Sequence, residues 1–164
     1  MAYKGKFVPT NIEKYKGNYK NIVYRSLWEL KSFKWCDTNS HIIQWSSEEI
    51  IIPYRCETDY KMHRYYMDLW VKLEKPDIRG NTEMIIEVKP HNEHCLKCHN
   101  RQVCKYGLKN PLKYTPRKTK SWYKKQRTWI KNQSKWKAAR KYAKDRGWSF
   151  VILDEYGLGI KKLK

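Results

Sequence analysis

Asp68 and Glu87, with eighteen residues between them, and Lys89 two residues further on have types that suit one kind of chemistry. Carboxylates on rigid elements are the usual way to hold a hard divalent cation such as Mg²⁺. An ammonium group beside them can orient or deprotonate a water, or neutralise developing negative charge. Together these are the groups needed to hydrolyse a phosphodiester. Each residue also has a plainer reading. Glu87 and Lys89 make a same-face ion pair of the kind worth little at a surface. Asp68 can accept a bond from a tyrosine hydroxyl, and Glu29, three residues after Ser26, completes a capping box.

The elements that must position these groups follow from the hydrophobic pattern. "MIIEVKP", residues 84–90, reads as a short buried strand in which alternation puts Glu87 and Lys89 on one face and Ile86 and Val88 on the other. "HRYYMDLWVKL", residues 63–73, reads as one strand, with Met67, Leu69, Val71 and Leu73 on one face and Tyr66, Asp68, Trp70 and Lys72 on the opposite one. The turn "KPDIRGNT" joins the two, so a hairpin sets Asp68 near Glu87. Upstream, Arg25 to Cys36 reads as an amphipathic helix capped by Ser26, with Leu27, Leu30 and Phe33 at helical spacing. Two short apolar segments flank Ser46 and Ser47. Residues 1–23 are basic and turn-rich and read as an arm with little helix or strand of its own. Residues 24–164 form a single domain carrying an insertion at 91–120. Beyond it comes a helical segment, broken near Asn132 to Ser134 and ended by Gly147, and then a last strand, "WSFVIL". The order describes an α/β domain, a mixed sheet flanked by helices.

The chain has 164 residues, enough for one domain that buries roughly two thirds of its unfolded surface. Its net charge of +20 accompanies 13 Tyr and 8 Trp, which fits a folded binder of a polyanion better than a disordered basic tail. Nucleic acid is the expected partner. No apolar run approaches a membrane span or a signal peptide core, so no membrane and a cytosolic setting are expected. Lys137, Lys141 and Lys144 share one helical face, with Arg140 beside them, and Lys120, Lys124 and Lys125 belong to a second basic run. These are the expected phosphate contacts.

Five cysteines argue against a disulfide framework, and Cys36 and Cys56 read as small buried apolar side chains. His91, Cys95, Cys98 and Cys104 offer the spacing H-x3-C-x2-C-x5-C, in which a structural Zn²⁺ would staple the insertion. His94 and His99 compete with His91 for the fourth ligand position.

The segments "YRSLWELKSFKWCDTN", "IIQWSSEEIIIPY", "RYYMDLWVKL", "IIEVKP" and "SKWKAARKYAKDRGWSFVIL" occur in the order seen in the head completion nucleases of large tailed phages. More distantly, the chain resembles the transposon-encoded TnsA endonuclease. Both belong to the restriction-endonuclease-like, PD-(D/E)xK superfamily, and the likeness covers residues 1–90 and 121–155. It implies a restriction-endonuclease-like core and a DNA-cleaving site that uses Mg²⁺ or Mn²⁺. Carried over by motif, the site comprises Glu29 of "SLWE", Asp68 of "YYMD", and Glu87 and Lys89 of "EVK", with the Val88 carbonyl as a further ligand beside Asp68 and Glu87. Glu48 of "WSSEE" matches another acid of the family. Met67 replaces the proline of the superfamily motif. The resemblance also implies action on packaged DNA, in the host cytoplasm or as part of the virion, with phage head or portal proteins or a second copy of the chain as partners. The competing expectations are a site- or structure-specific endonuclease of the homing or transposition type, and a non-catalytic DNA-binding structural protein of the head. Nothing in the sequence identifies base readout. Binding to DNA is accordingly expected to weaken steeply with salt and to differ little between unrelated sequences, which titrations at several salt concentrations on two duplexes would check.

Overall fold

A computed structural model gives the fold and describes residues 3–95 and 119–160. In chain order the elements are β1 (Gly5–Phe7), two single 3₁₀ turns (Ile12–Lys14 and Tyr19–Asn21), β2 (Ile22–Tyr24), α1 (Leu27–Thr38), β3 (Ile42–Ser46), β4 (Ile51–Arg55), β5 (Met62–Tyr66), β6 (Leu69–Leu73), β7 (Glu83–Val88), α2 (His91–His94), α3 (Lys120–Lys144) and β8 (Ser149–Leu153). The central sheet is mixed, in the order β3-β6-β7-β8. Its first two pairings are antiparallel and the last, β7 with β8, is parallel. The β6–β7 hairpin pairs as expected, with Leu69 opposite Ile86.

Alternation along β6 and β7 divides the core in two. Leu69, Val71, Ile86 and Val88 pack with Phe33 and Cys36 of α1 and with Trp45. Trp70 and Ile85 pack with Trp136, Ala139 and Ala143 of α3 and with Ile52, Tyr54 and Tyr65 of the β4–β5 hairpin. Small residues at 139 and 143 let α3 lie close to the sheet. Cys36 and Cys56 are buried, as their apolar reading requires.

Four expectations are corrected. Residues 63–73 are two strands: β5 pairs with β4 in a separate two-stranded sheet, β6 joins the central one, and the chain changes sheet at Met67–Asp68. The change is fixed by long-range bonds, Met67 N–H to the Ile50 carbonyl and Glu48 N–H to the Met67 carbonyl, both 3.0 Å. The basic segment at the N-terminus is also no arm. β1 pairs with β2, and Phe7, Tyr15 and Ile22 are buried in the α1-side core. The buried Asp37 carboxylate at the end of α1 accepts from Thr10 and Asn11 N–H groups, which anchors that segment. Nor is α3 broken at Asn132–Ser134, since both residues are buried and the Ser134 hydroxyl accepts from Glu57 N–H in the turn between β4 and β5. These polar residues serve docking, and the helix closes further on, where Gly147 at φ +67° lets Trp148 N–H reach the Ala143 carbonyl. Finally, of the expected apolar face of α1, Phe33 is buried and Leu30 half-buried, but Leu27 is exposed, and Cys36 joins Phe33 inside.

Trp45 is fully buried and meets Phe7, Tyr15 and Phe33 edge-on or tilted, joining the N-terminal segment, α1 and the sheet. Trp45→Ala is expected to lower unfolding free energy by about 3–5 kcal/mol. Ile78→Ala, at a fully exposed turn, is expected to change it by less than about 0.5 kcal/mol, and denaturant titrations of both variants check the contrast.

Candidate active site

The pairing of β6 with β7 continues one residue beyond the ladder, where Val88 N–H donates to Asp68 Oδ2 at 2.7 Å. This bond brings the Asp68 carboxylate to Glu87. Glu87 is fully buried on the α3 side of the sheet, where Tyr65 Oη donates to its Oε2 at 2.5 Å. Lys89 Nζ stands 3.4 Å from the other oxygen, Oε1. Lys89 is fixed in turn by its N–H bond to the Leu153 carbonyl of β8. The expected partnership of Asp68 with a tyrosine hydroxyl therefore falls to Glu87 instead.

Burial and the Glu87 charge push the Asp68 carboxyl well above the usual carboxylate range, against the opposing effects of Val88 N–H and Lys89. Burial would lower the Lys89 ammonium, but Glu87 and Asp68 outweigh it and raise the group above its ordinary value. Two carboxylates pressed together with too little positive charge make a hard-oxygen donor set that fits a divalent cation.

Glu29 does cap α1: Ser26 Oγ accepts from Glu29 N–H at 3.1 Å, and the Glu29 carboxylate accepts from Arg25 N–H at 2.7 Å. Its charge nonetheless reaches Asp68. Glu48 forms an ion pair with the Arg25 guanidinium, so one arginine holds both acids. Glu48 has a left-handed backbone, φ +58°, in the turn that bonds to Met67. Such a conformation in a residue other than glycine is uncommon, and here the residue bonds to Met67, the chain neighbour of Asp68. The substitution of Met for Pro at 67 also has a use, because proline has no N–H to give Ile50.

Lys135 is a site residue that sequence reasoning missed. Its ammonium sits 4.8 Å from the Tyr65 ring centroid, on the α3 side, and burial lowers its ionisation against the pull of Glu87 and Asp68. The signal available was its spacing from other cations: Lys120, Lys124, Arg127, Lys131 and Lys135 follow one helical face. The first four line an open cleft of about 560 Å³ between α3 and the β4–β5 turn. Of the other expected phosphate contacts, Lys125, Lys137, Arg140, Lys141 and Lys144 are exposed. Arg140 and Lys144 line a second cleft with Arg79 and Trp148, and Lys141 pairs with Asp145.

The structure groups His91 with His94 and Asp154, and Cys95 is not part of that group; Cys98 and Cys104 lie outside the described residues.

A mixed sheet flanked by helices, with an acid at a strand junction and the Glu-x-Lys pair on the next strand, is the restriction-endonuclease-like arrangement. The chain belongs to the TnsA-like endonucleases: the family model described as "TnsA-like endonuclease N terminal" matches residues 39–155. Over 161 residues, 96% of this chain and 95% of the relative, it is 43% identical to the head completion nuclease of Enterobacteria phage T4. No solved structure gives a significant match.

Because the Asp68 carboxyl ionises above its unfolded value of about 4, the metal-free native state keeps a proton that the unfolded chain has released. Its contribution to stability is present below about pH 4 and is lost as pH rises through the raised value. The raised Lys89 contribution persists up to about pH 10.4 and declines only above it. In EDTA, Asp68→Asn is thus expected to melt above the parent at neutral pH and to show a flatter decline from about pH 4 upward. Melting temperatures across pH check this, and parallel curves for the two proteins would refute it.

Proposed function

We propose that the protein is a divalent-metal-dependent DNA endonuclease. The observation that carries the reading is the carboxylate pair, half-buried Asp68 beside buried Glu87, with the Lys89 ammonium 3.4 Å from Glu87. Asp68, Glu87 and the Val88 carbonyl would hold Mg²⁺ or Mn²⁺. When bound there, the cation supplies Lewis-acid polarisation of the phosphodiester and acidifies a water. Lys89 orients that water and offsets charge developing on the phosphate. Tyr65 fixes one oxygen of Glu87 and leaves the other toward Lys89, which limits the carboxylate to one working orientation. Glu29, held by Ser26 and Arg25, adds negative charge at the rim.

The cation-lined face of α3 supplies a path for the substrate. Lys120, Lys124, Arg127 and Lys131 line the cleft, and Lys135 follows one turn beyond Lys131, among the carboxylates. A DNA backbone lying along this face would be led to Glu87. The T4 relative is named for head completion, and we extend to this chain a role in processing DNA at a phage head. Head or portal proteins, or a second copy of the chain, would then be its partners.

The test is incubation of supercoiled plasmid with Mg²⁺, Mn²⁺ or EDTA. Metal-dependent relaxation or linearisation is expected, and Asp68→Ala and Lys89→Ala are expected to lower its rate by about 100-fold or more. Equal cutting by parent and folded variants would remove the site assignment. DNA binding without cleavage in any metal would favour a structural role. Joint replacement of Lys124 and Arg127 by Ala is expected to weaken binding similarly on all sequences and to reduce its salt dependence by about two counterions, as measured by fluorescence anisotropy.

A further inference from the structure

The ends of β7 and β8 carry a second cluster, built from residues other than Asp68, Glu87 and Lys89. β7 and β8 are parallel neighbours, so the residues that follow them emerge side by side. α2 begins at His91, and its single turn presents His91 and His94 together; Asp154 directly follows β8. Asp154 Oδ2 lies 2.7 Å from His91 Nδ1 and 3.1 Å from His94 Nε2. One ligand atom from each of the three residues falls within 4.8 Å of the other two.

We propose that His91, His94 and Asp154 form a Zn²⁺ site that clamps α2 to the end of β8. Two imidazole nitrogens and a carboxylate oxygen are common zinc donors, and a tetrahedral ion with bonds of about 2.0–2.1 Å separates its donors by about 3.4 Å. The two separations from Asp154, 2.7 and 3.1 Å, would open to about 3.4 Å on binding. The fourth position belongs to water or to a further donor.

The surroundings are arranged as ligand supports usually are. The other oxygen of Asp154, Oδ1, accepts from Tyr156 N–H at 3.1 Å and from Gly157 N–H at 3.0 Å, which aims Oδ2 at the two imidazoles. Glu155 Oε2 accepts from His91 N–H at 2.8 Å and holds the start of α2 in place. His91 and Asp154 are buried, and His94 is half-buried. This set differs from the sequence expectation of His91, Cys95, Cys98 and Cys104: it keeps His91, takes His94 as well, and uses an aspartate from late in the chain in place of the cysteines.

A pure hydrogen-bonded staple would use the same three residues, and substitution separates the two roles. Asp154→Asn keeps an oxygen for Tyr156 and Gly157 but puts an amide nitrogen, which does not ligate zinc, before the histidines. Asp154→His restores a ligand. The experiment measures zinc in the purified full-length chain by mass spectrometry, together with melting temperature before and after treatment with a zinc chelator. The parent is expected to hold about one zinc per chain and to melt lower after chelation. His94→Ala and Asp154→Asn are expected to lose most of the zinc and the response to chelator, Asp154→His to recover part of both, and Cys95→Ser to keep the zinc content and chelator response of the parent. Zinc retained in both His94→Ala and Asp154→Asn, or a parent that neither contains zinc nor is stabilised by added zinc, would overturn the site. These readouts do not depend on DNA cleavage, so the inference stands or falls apart from the nuclease reading.

Discussion

The contact on which the site depends is the bond from Val88 N–H to Asp68 Oδ2. It uses a backbone donor at the end of a ladder to hold a carboxylate beside a second, buried one. Like charges so placed repel, and burial makes the repulsion stronger. The arrangement persists because the rest of the domain fixes both backbones. β7 is held on one side by β6 and on the other by β8, and the residue before Asp68 is bonded to the turn at residues 48–50 on both its N–H and its carbonyl. The fold holds Asp68 and Glu87 at a distance that side chains free to move would avoid.

The charge pattern of the molecule then reads as one design. Thirty-six Lys and Arg residues against sixteen acids give a surface attractive to polyanions, while Glu87 is buried and Asp68, Glu29 and Glu48 are half-buried. Glu87 lies beneath Tyr65 and Lys135, and Glu29 and Glu48 are tied to Arg25. Half-buried Lys135 of α3 feels the charges of Glu87 and Asp68, while Lys120, Lys124, Arg127 and Lys131 are exposed along the cleft.

Much of this was legible in the sequence, for reasons that are local. Ser26 with Glu29, the turn between β6 and β7, and the alternation in "MIIEVKP" act over a few residues, and they placed the cap, the hairpin and the Asp68–Glu87–Lys89 set. What escaped is set by distant partners. The change of sheet at Met67 depends on Ile50 and Glu48, the continuity of α3 on Glu57, and the burial of Phe7 and Tyr15 on α1 and Trp45. Lys135 and Asp154 belong to their clusters only because α3 and β8 return to strand β7, and no periodicity announces that return.

The parallel pairing of β7 with β8 also sets an order in time. Met84 to Val88 must wait for Ser149 to Leu153, and closing a loop of that length before its contacts form is slow compared with forming the β6–β7 hairpin. During synthesis the hairpin can bring Asp68 and Glu87 together early, but Lys89 gains its backbone anchor, the Leu153 carbonyl, only when the last strand has docked. A chain emerging from the ribosome therefore carries its acids long before it carries a finished site. Its DNA-directed chemistry begins with the end of folding.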